Sequence, residues 1–140
     1  MDNLTPEQRV KTMSSVKSEW TKLEYRFIEP LLERNICIFD FHASDLPGKP
    51  DIVQWDAHIA IFLDSCFWHG CTQHLRMPKT NQEYWKRKIR NNKRRDRYNT
   101  EQLEKSGWLV RRIWGHSIKN DRALKWWLTR IESLVRERTT

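Results

Sequence analysis

The segment from His58 to Leu63 constrains the fold most strongly, because it is almost continuously apolar and ends at Asp64. A short apolar run of this kind is typical of a strand that is buried on both faces of its sheet. Such a strand needs a covering layer on each side. The chain is therefore predicted to form a layered α/β structure around it.

Hydrophobic periodicity predicts the other elements around this strand. Apolar residues at three- and four-residue spacing predict helices, for which Pro6 and Gly107 supply boundaries. The predicted helices cover about 5–16, 19–34, 81–106 and 121–138. The predicted strands cover 36–42, 51–55, 58–63 and 108–114, with a turn at 46–50. This order favours an α/β sandwich with a central mixed β-sheet flanked by helices.

Composition sets further limits on the class of protein. The chain has 140 residues, 38% of them hydrophobic, which is enough for one compact core and excludes that the whole chain is a disordered polybasic tail. No apolar run is long enough to span a membrane, and the N-terminus has no apolar signal region. An odd number of cysteines, three, argues against a disulfide framework. We therefore expect a soluble, intracellular protein.

Positive charge is concentrated between Lys86 and Arg97. This stretch holds eight basic residues and one acid, Asp96, and so carries +7 of the chain's net +8. Concentrated charge of one sign predicts contact with nucleic-acid phosphates, whereas a solvated helix face usually mixes signs. A solvated face is the alternative.

Aromatic residues lie next to this basic stretch. Phe67-Trp68 lies in a predicted loop, and Tyr84-Trp85 opens the basic helix. Adjacent aromatics of this kind can stack on bases or wedge between base pairs, and ordinary core packing is the alternative. For four other tryptophans, which fall on predicted core elements, core packing is preferred: Trp108, Trp114, Trp126 and Trp127.

Asp51 follows the predicted turn and opens a strand next to the one that ends at Asp64. Hard cations such as Mg²⁺ prefer oxygen ligands on rigid elements, and two adjacent strand ends supply them. The alternative is a turn residue that bonds its own backbone.

A cluster of cysteine and histidine predicts a second metal site. Cys66, Cys71 and His74 have spacings that can wrap one zinc ion, which takes four thiolate or imidazole ligands. His116 is the best remaining candidate for the fourth, whereas His42 and His58 lie in or near predicted strands. With four protein ligands the site would be structural, and the alternative is two small buried cysteines. His69 suits a general base better than a fifth ligand.

Taken together, these motifs resemble the very-short-patch-repair (Vsr) DNA mismatch endonucleases. The resemblance runs from about Thr5 to His116 and rests on an ordered set of motifs: Leu46-Pro47-Gly48-Lys49-Pro50-Asp51-Ile52-Val53, Cys66-Phe67-Trp68-His69-Gly70-Cys71 with His74, Pro78-Lys79-Thr80-Asn81, Tyr84-Trp85, Arg94 with Asp96-Arg97, Gly107-Trp108 and Trp114. It implies a restriction-endonuclease-like fold in a single domain over 1–140, with a DNA-contacting helix in 1–18 and the nuclease core in 19–140. It also implies that double-stranded DNA is nicked on the 5′ side of the thymine in a T·G mismatch, which starts the repair of deaminated 5-methylcytosine.

The resemblance also implies a catalytic centre. Asp51 would be the direct Mg²⁺ ligand and the backbone carbonyl of Leu63 a second, with Asp64 as a further candidate. Glu24 matches the helix glutamate that reaches the hydrated metal, and His69 matches the catalytic histidine, the general base. Cys66 stands where the general nuclease pattern has a lysine, so a lysine-based mechanism is not expected.

Zinc and DNA contacts follow from the same resemblance. The implied structural zinc ligands are Cys66, Cys71, His74 and His116. The implied DNA contacts comprise a residue that inserts from the opposite groove, the wedging aromatics and the basic run: Met13, Phe67, Trp68, Trp85, Lys86, Arg90, Lys93, Arg94 and Arg97.

The expected partner is double-stranded DNA with a T·G mismatch. Mismatch-repair proteins and a cognate cytosine-5 methyltransferase system are the implied associates. We expect a monomer that acts on DNA in the bacterial cytoplasm and has no membrane partner. Two alternatives stay open, a restriction-type enzyme that cuts matched duplex and a non-catalytic zinc-stabilised DNA-binding protein.

Overall fold

The computed structural model describes residues 21–65, 70–71 and 77–139. The predicted helix over 5–16 lies outside these residues. So do six of the predicted site residues: Met13, Cys66, Phe67, Trp68, His69 and His74.

Helices and strands alternate along the described chain in nearly the predicted order. The elements are α1 (Lys22–Glu33), β1 (Asp40–Phe41), β2 (Ile52–Gln54), β3 (Ile59–Asp64), α2 (Gln82–Lys105), β4 (Leu109–Trp114), a 3₁₀ helix (Gly115–Ile118) and α3 (Asp121–Thr139). Gly107 ends α2 with a φ of 89°, which is the left-handed conformation that glycine adopts readily. The predicted helices over 19–34, 81–106 and 121–138 match the described ones within about three residues.

The four described strands form one mixed sheet in the order β1-β2-β3-β4. The pairs β1–β2 and β2–β3 are antiparallel, whereas β3 and β4 are parallel, with Asp64 opposite Trp114. Every residue of β3 is buried, as its apolar sequence predicts. The prediction of a mixed sheet around this strand is confirmed.

Residues alternate between the two faces of the sheet along β3 and so connect two packing layers. Ile59, Ile61 and Leu63 pack in a core with α1 and α3. Ala60 and Phe62 pack in a second, smaller core that includes Leu103 of α2. The sheet thus lies between α1 and α3 on one side and α2 on the other, which is the layered arrangement expected of α/β folds.

Two predictions about this architecture are wrong in part. The strand predicted over 36–42 has only Asp40 and Phe41 in the sheet, because the Gln54 side chain, and not a strand, hydrogen-bonds the carbonyl of Ile38 at 3.3 Å. Trp126 is 60% exposed and not in the core, since it lies off the apolar face of α3 that carries Leu128 and Ile131.

Across the described residues, no helix combines the length and the apolar character needed to cross a bilayer.

Candidate active site

Asp51 lies where the 46–50 turn delivers the chain into β2. Its Oδ2 accepts a hydrogen bond of 2.7 Å from the backbone N–H of Leu63, twelve residues away. The carboxylate is therefore bound to the neighbouring strand and does not close its own turn. Gly48, with a φ of 79°, lets this turn approach α2 closely, because a Cβ there would lie 2.9 Å from the Asn99 side chain.

Glu24 reaches this position from α1. Thr21 caps the helix and accepts a hydrogen bond from the Glu24 N–H at 3.2 Å, which fixes the first turn. The Glu24 side chain points to the sheet, where its Oε2 is 2.7 Å from Nε2 of His42. The helix cap therefore delivers a carboxylate to the strand end that carries Asp51.

Glu24, His42 and Asp51 offer ligand atoms that all lie within 4.8 Å of one another. Two carboxylates and an imidazole at this spacing are a donor set that fits a divalent cation. The Leu63 carbonyl faces the same strand edge, since the N–H and C=O of a residue in an extended strand point the same way. The geometry thus accommodates the predicted Mg²⁺ ligands and adds His42.

Burial raises the pKa of Asp51 from 3.8 to about 6. The hydrogen bond from Leu63 opposes this increase, the nearby Glu24 carboxylate adds to it, and His42 lowers the pKa. A buried carboxylate is costly to ionise without a cation beside it. We therefore expect ionised Asp51 to destabilise the metal-free chain, and a pKa shifted by burial is typical of functional sites.

Asp64 lies at the end of β3 and belongs to a separate ion pair. Both of its carboxylate oxygens accept from the Arg112 guanidinium at 3.2 Å. Arg112 also donates to the Asp96 carbonyl and to Oγ1 of Thr100 on α2, and it stacks 4.0 Å from the centre of the Phe62 ring. This pair connects the sheet edge to α2, and a metal role for Asp64 stays a prediction.

A cavity of about 870 Å³ opens over these groups. Glu24, Asp51 and Asp64 line one part of it, and Arg95 and Asn99 of α2 line another. The space is large enough for a nucleotide-sized segment, and it carries both acidic and basic groups.

The predicted phosphate contacts share one face of α2. At 100° per residue, the spacing of these five exposed residues places them within about a third of the helix circumference: Lys86, Arg90, Lys93, Arg94 and Arg97. Only Ile89 and Leu103 of this helix are buried, so most of its surface faces away from the core. We call these five residues the basic stripe. Trp85 is half-buried at the start of the same helix.

Cys71 and His116 form a second donor pair, at the ends of the parallel strands. Sγ of Cys71 is 3.6 Å from Nδ1 of His116. A tetrahedral zinc with usual bond lengths separates neighbouring sulfur and nitrogen donors by about 3.6 Å. The two described members of the predicted zinc set therefore lie at the spacing that one ion requires.

Gly70 places this pair against the basic stripe. Its φ is 67°, and a Cβ there would overlap Cε of Lys93 and lie 2.7 Å from Cγ2 of Ile89. Only glycine fits this approach without displacing the helix side chains. Gly70 is thus packed directly on α2.

Sequence reasoning missed two residues of this region. His42 was considered only as a zinc ligand, and its partner Glu24 is 18 residues away in the sequence, without a local pattern. Arg112 is one of two adjacent arginines in β4, and only strand register shows which one faces Asp64.

The family described as DNA mismatch endonuclease Vsr matches residues 1–75. The chain belongs to this family of DNA endonucleases, which are hydrolases.

Curated relatives cover most of the chain. It is 37% identical over 114 residues to the type II nicking enzyme V.XorIIP of Xanthomonas oryzae pv. oryzae, covering 81% of this chain and 83% of that enzyme. It is 34% identical over 107 residues to the DNA mismatch endonuclease Vsr of Escherichia coli strain K12, covering 76% of this chain and 68% of that protein. Identity to the type II nicking enzyme V.NaeI of Lentzea aerocolonigenes is 38% over 111 residues, 79% of this chain, but the match spans only 63% of that enzyme.

Proposed function

We propose that this protein is a Mg²⁺-dependent endonuclease that nicks double-stranded DNA 5′ to the thymine of T·G mismatches. Such a cut would initiate very short patch repair of deaminated 5-methylcytosine. The observation that carries the proposal is the convergence of Glu24 and Asp51 within reach of one cation, in a cavity bordered by α2. Family membership supports the reaction, and the names of the relatives support a nick over a double-strand cut.

Asp51 and the Leu63 carbonyl would hold Mg²⁺ at the scissile phosphate, and Glu24 would orient its water shell. A bound Mg²⁺ polarises the phosphate and stabilises the leaving oxygen. His69 would take the proton from the attacking water at neutral pH. The cavity residues Arg95 and Lys49 supply positive charge beside the carboxylates.

Recognition of DNA would combine contacts to phosphates with insertion of side chains at the mismatch. The basic stripe would hold phosphates without reading sequence, while Phe67, Trp68 and Trp85 would insert at the mismatch and Met13 from the opposite groove. A mismatched step is easier to unstack by a few kcal/mol, so wedging selects it. The mismatch-repair proteins, the cytosine-5 methyltransferase system, the monomeric state and the bacterial cytoplasm remain part of this proposal.

A nicking assay on matched and T·G duplexes tests the function. We expect Mg²⁺-dependent nicking of the mismatched duplex by the parent. In Asp51→Ala the rate should fall about a thousandfold, because a catalytic metal supplies several kcal/mol. Asp45→Ala, which removes an exposed carboxylate of the neighbouring turn, is the matched control and should keep full activity. Equal cleavage of both duplexes would refute mismatch selectivity and favour the restriction-type alternative.

The non-catalytic alternative is a zinc-stabilised DNA-binding protein. It would bind DNA equally well with Asp51 and His69 replaced, and the parent would not cleave. The buried Asp51 argues against it, because a binding protein gains nothing from a carboxylate that is costly to ionise.

We also propose that Cys66, Cys71, His74 and His116 hold one structural zinc. The prediction is about one zinc per parent chain by elemental analysis, with a clear loss in His116→Ala and lower thermal stability. His58→Ala, which removes an exposed imidazole elsewhere, should retain the ion. An unchanged zinc content in His116→Ala would contradict the assignment.

The basic stripe yields a prediction about salt. Arg90→Gln with Arg94→Gln should weaken binding to matched and mismatched duplex by similar factors and reduce the slope of log K against log salt by about 2. The charge-matched control, Lys105→Gln with Lys125→Gln, changes exposed residues outside the stripe and should leave the slope nearly unchanged. A selective loss of mismatch preference in the first variant would refute this division of roles.

A further inference from the structure

His42 lies beside both carboxylates of the active site, and no role in the proposed reaction has been given to it. We propose that Nε2 of His42 is a direct ligand of the catalytic cation, beside the Asp51 carboxylate and the Leu63 carbonyl, while Glu24 contacts the water shell of the ion. The inference rests on the proposed function, because it concerns the cation of that same site.

Distances within the cluster carry the first step. Nε2 of His42 is 2.7 Å from Oε2 of Glu24, and one ligand atom of each of the three residues lies within 4.8 Å of the others. An octahedral ion with bonds of about 2.1 Å holds neighbouring ligand atoms about 3 Å apart and opposite ones about 4.2 Å apart. Small side-chain movements therefore bring the His42 nitrogen and an Asp51 oxygen to one ion, with Glu24 in reach of its water shell.

Backbone geometry carries the second step. The N–H of His42 donates to the carbonyl of Asp51 at 3.1 Å, and that of Ala43 donates to Pro50 at 3.2 Å. His42 and Asp51 are thus fixed to each other across the ends of β1 and β2. His42 also has a φ of 50°, an uncommon conformation that persists where the surroundings impose it.

Accessibility carries the third step. The His42 side chain is 30% exposed and that of Glu24 13%, so solvent reaches both, and Glu24 and Asp51 line the cavity. A nitrogen donor changes the character of the site, because Mg²⁺ prefers all-oxygen ligands whereas imidazole is a ligand for transition metals. We therefore expect Mn²⁺ to bind the zinc-loaded chain more tightly than Mg²⁺.

The test uses Mn²⁺ bound to the zinc-loaded chain without DNA. Pulsed electron paramagnetic resonance detects a directly bound ¹⁴N by its hyperfine coupling, and titration gives the Mn²⁺ and Mg²⁺ affinities. His42→Gln is the informative variant, since its side-chain amide can hydrogen-bond Glu24 in the metal-free chain but supplies no imidazole nitrogen. His58→Gln is the matched control, because it replaces an exposed histidine in the turn at the opposite end of the β2–β3 pair from Asp51.

The expected result is a ¹⁴N coupling in the parent and in His58→Gln, and none in His42→Gln. The Mn²⁺ affinity of His42→Gln should fall about tenfold or more, and its Mg²⁺ affinity by less. A coupling that persists in His42→Gln, or its absence from the parent while Asp51→Asn abolishes Mn²⁺ binding, would overturn the ligand role alone. Mn²⁺ binding that does not depend on Asp51 would instead refute the metal site of the proposed function.

Discussion

Asp51→Asn is expected to abolish nicking and, at the same time, to stabilise the metal-free protein. The pKa of Asp51 is about 6 in the folded chain against 3.8 for an ordinary aspartate, chiefly because the group is buried. Between these values the folded state binds more protons than the unfolded one, so stability is lost as pH rises through this window. Above pH 7 the cost reaches about 3 kcal/mol, which an uncharged amide avoids.

Chemical denaturation from pH 4.5 to 8 measures this effect on zinc-loaded protein without added Mg²⁺ and without chelator. The advantage of Asp51→Asn should be small at the acid end and largest above pH 7, provided that the amide oxygen keeps the hydrogen bond from Leu63. Asp45→Asn, which neutralises an exposed carboxylate, should change stability by no more than about 0.5 kcal/mol.

Added Mg²⁺ should reverse the order of the two proteins. A cation that binds only the folded parent stabilises it by mass action, whereas Asp51→Asn lacks the charge that attracts the ion. If Asp51→Asn is no more stable than the parent at any pH, the burial of Asp51 does not carry the cost assigned to it.

Arg112→Met is expected to lower the free energy of unfolding strongly, whereas Asp51→Asn is expected to raise it. Arg112 makes two charge-assisted hydrogen bonds to the buried Asp64 and two more to Asp96 and Thr100 on α2. Removing one partner of a buried ion pair costs about 3 kcal/mol or more, since the remaining charge stays in a poorly solvated place. The loss should appear as a lower denaturation midpoint at pH 7.

Arg111→Met is the matched control for this prediction. Arg111 is the preceding residue of β4, and its guanidinium donates to the neighbouring Val110 carbonyl and not to Asp64. The double variant Asp64→Asn with Arg112→Met should lose less than the sum of its single changes, with a coupling of about 1–3 kcal/mol. Additive losses would show that the pair does not act as a unit.

The sequence predicts periodic elements of this fold well and convergence between distant segments poorly. The buried strand β3 and the helix over 82–105 follow from local apolar spacing and a terminal glycine. The strand predicted over 36–42 is too long. These residues have β propensity, but the Ile38 carbonyl accepts a hydrogen bond from the Gln54 side chain and not from a neighbouring strand. The exposure of Trp126 follows from helix geometry, since this residue lies about 100° around the helix from Trp127, which is on the buried side.

The site residues also include some that local motifs predict and some whose contacts depend on the assembled fold. Asp51 and Glu24 could be named from their motifs, but their approach to His42 depends on how α1 packs on the sheet. No spacing rule relates positions 24, 42 and 51. The choice of Arg112 over Arg111 depends on the parallel register of β3 and β4, which is a property of the assembled sheet.

The distance in sequence between Cys71 and His116 has a consequence for how the protein matures. The two side chains are 45 residues apart, and the parallel pairing of β3 with β4 brings them together. Closing a loop of this length costs conformational entropy, which the contacts of the paired strands offset and which two isolated donors do not. If the proposed zinc is bound, its capture by both donors should therefore be no faster than the formation of this strand pair, and the bound ion would slow the separation of the strands.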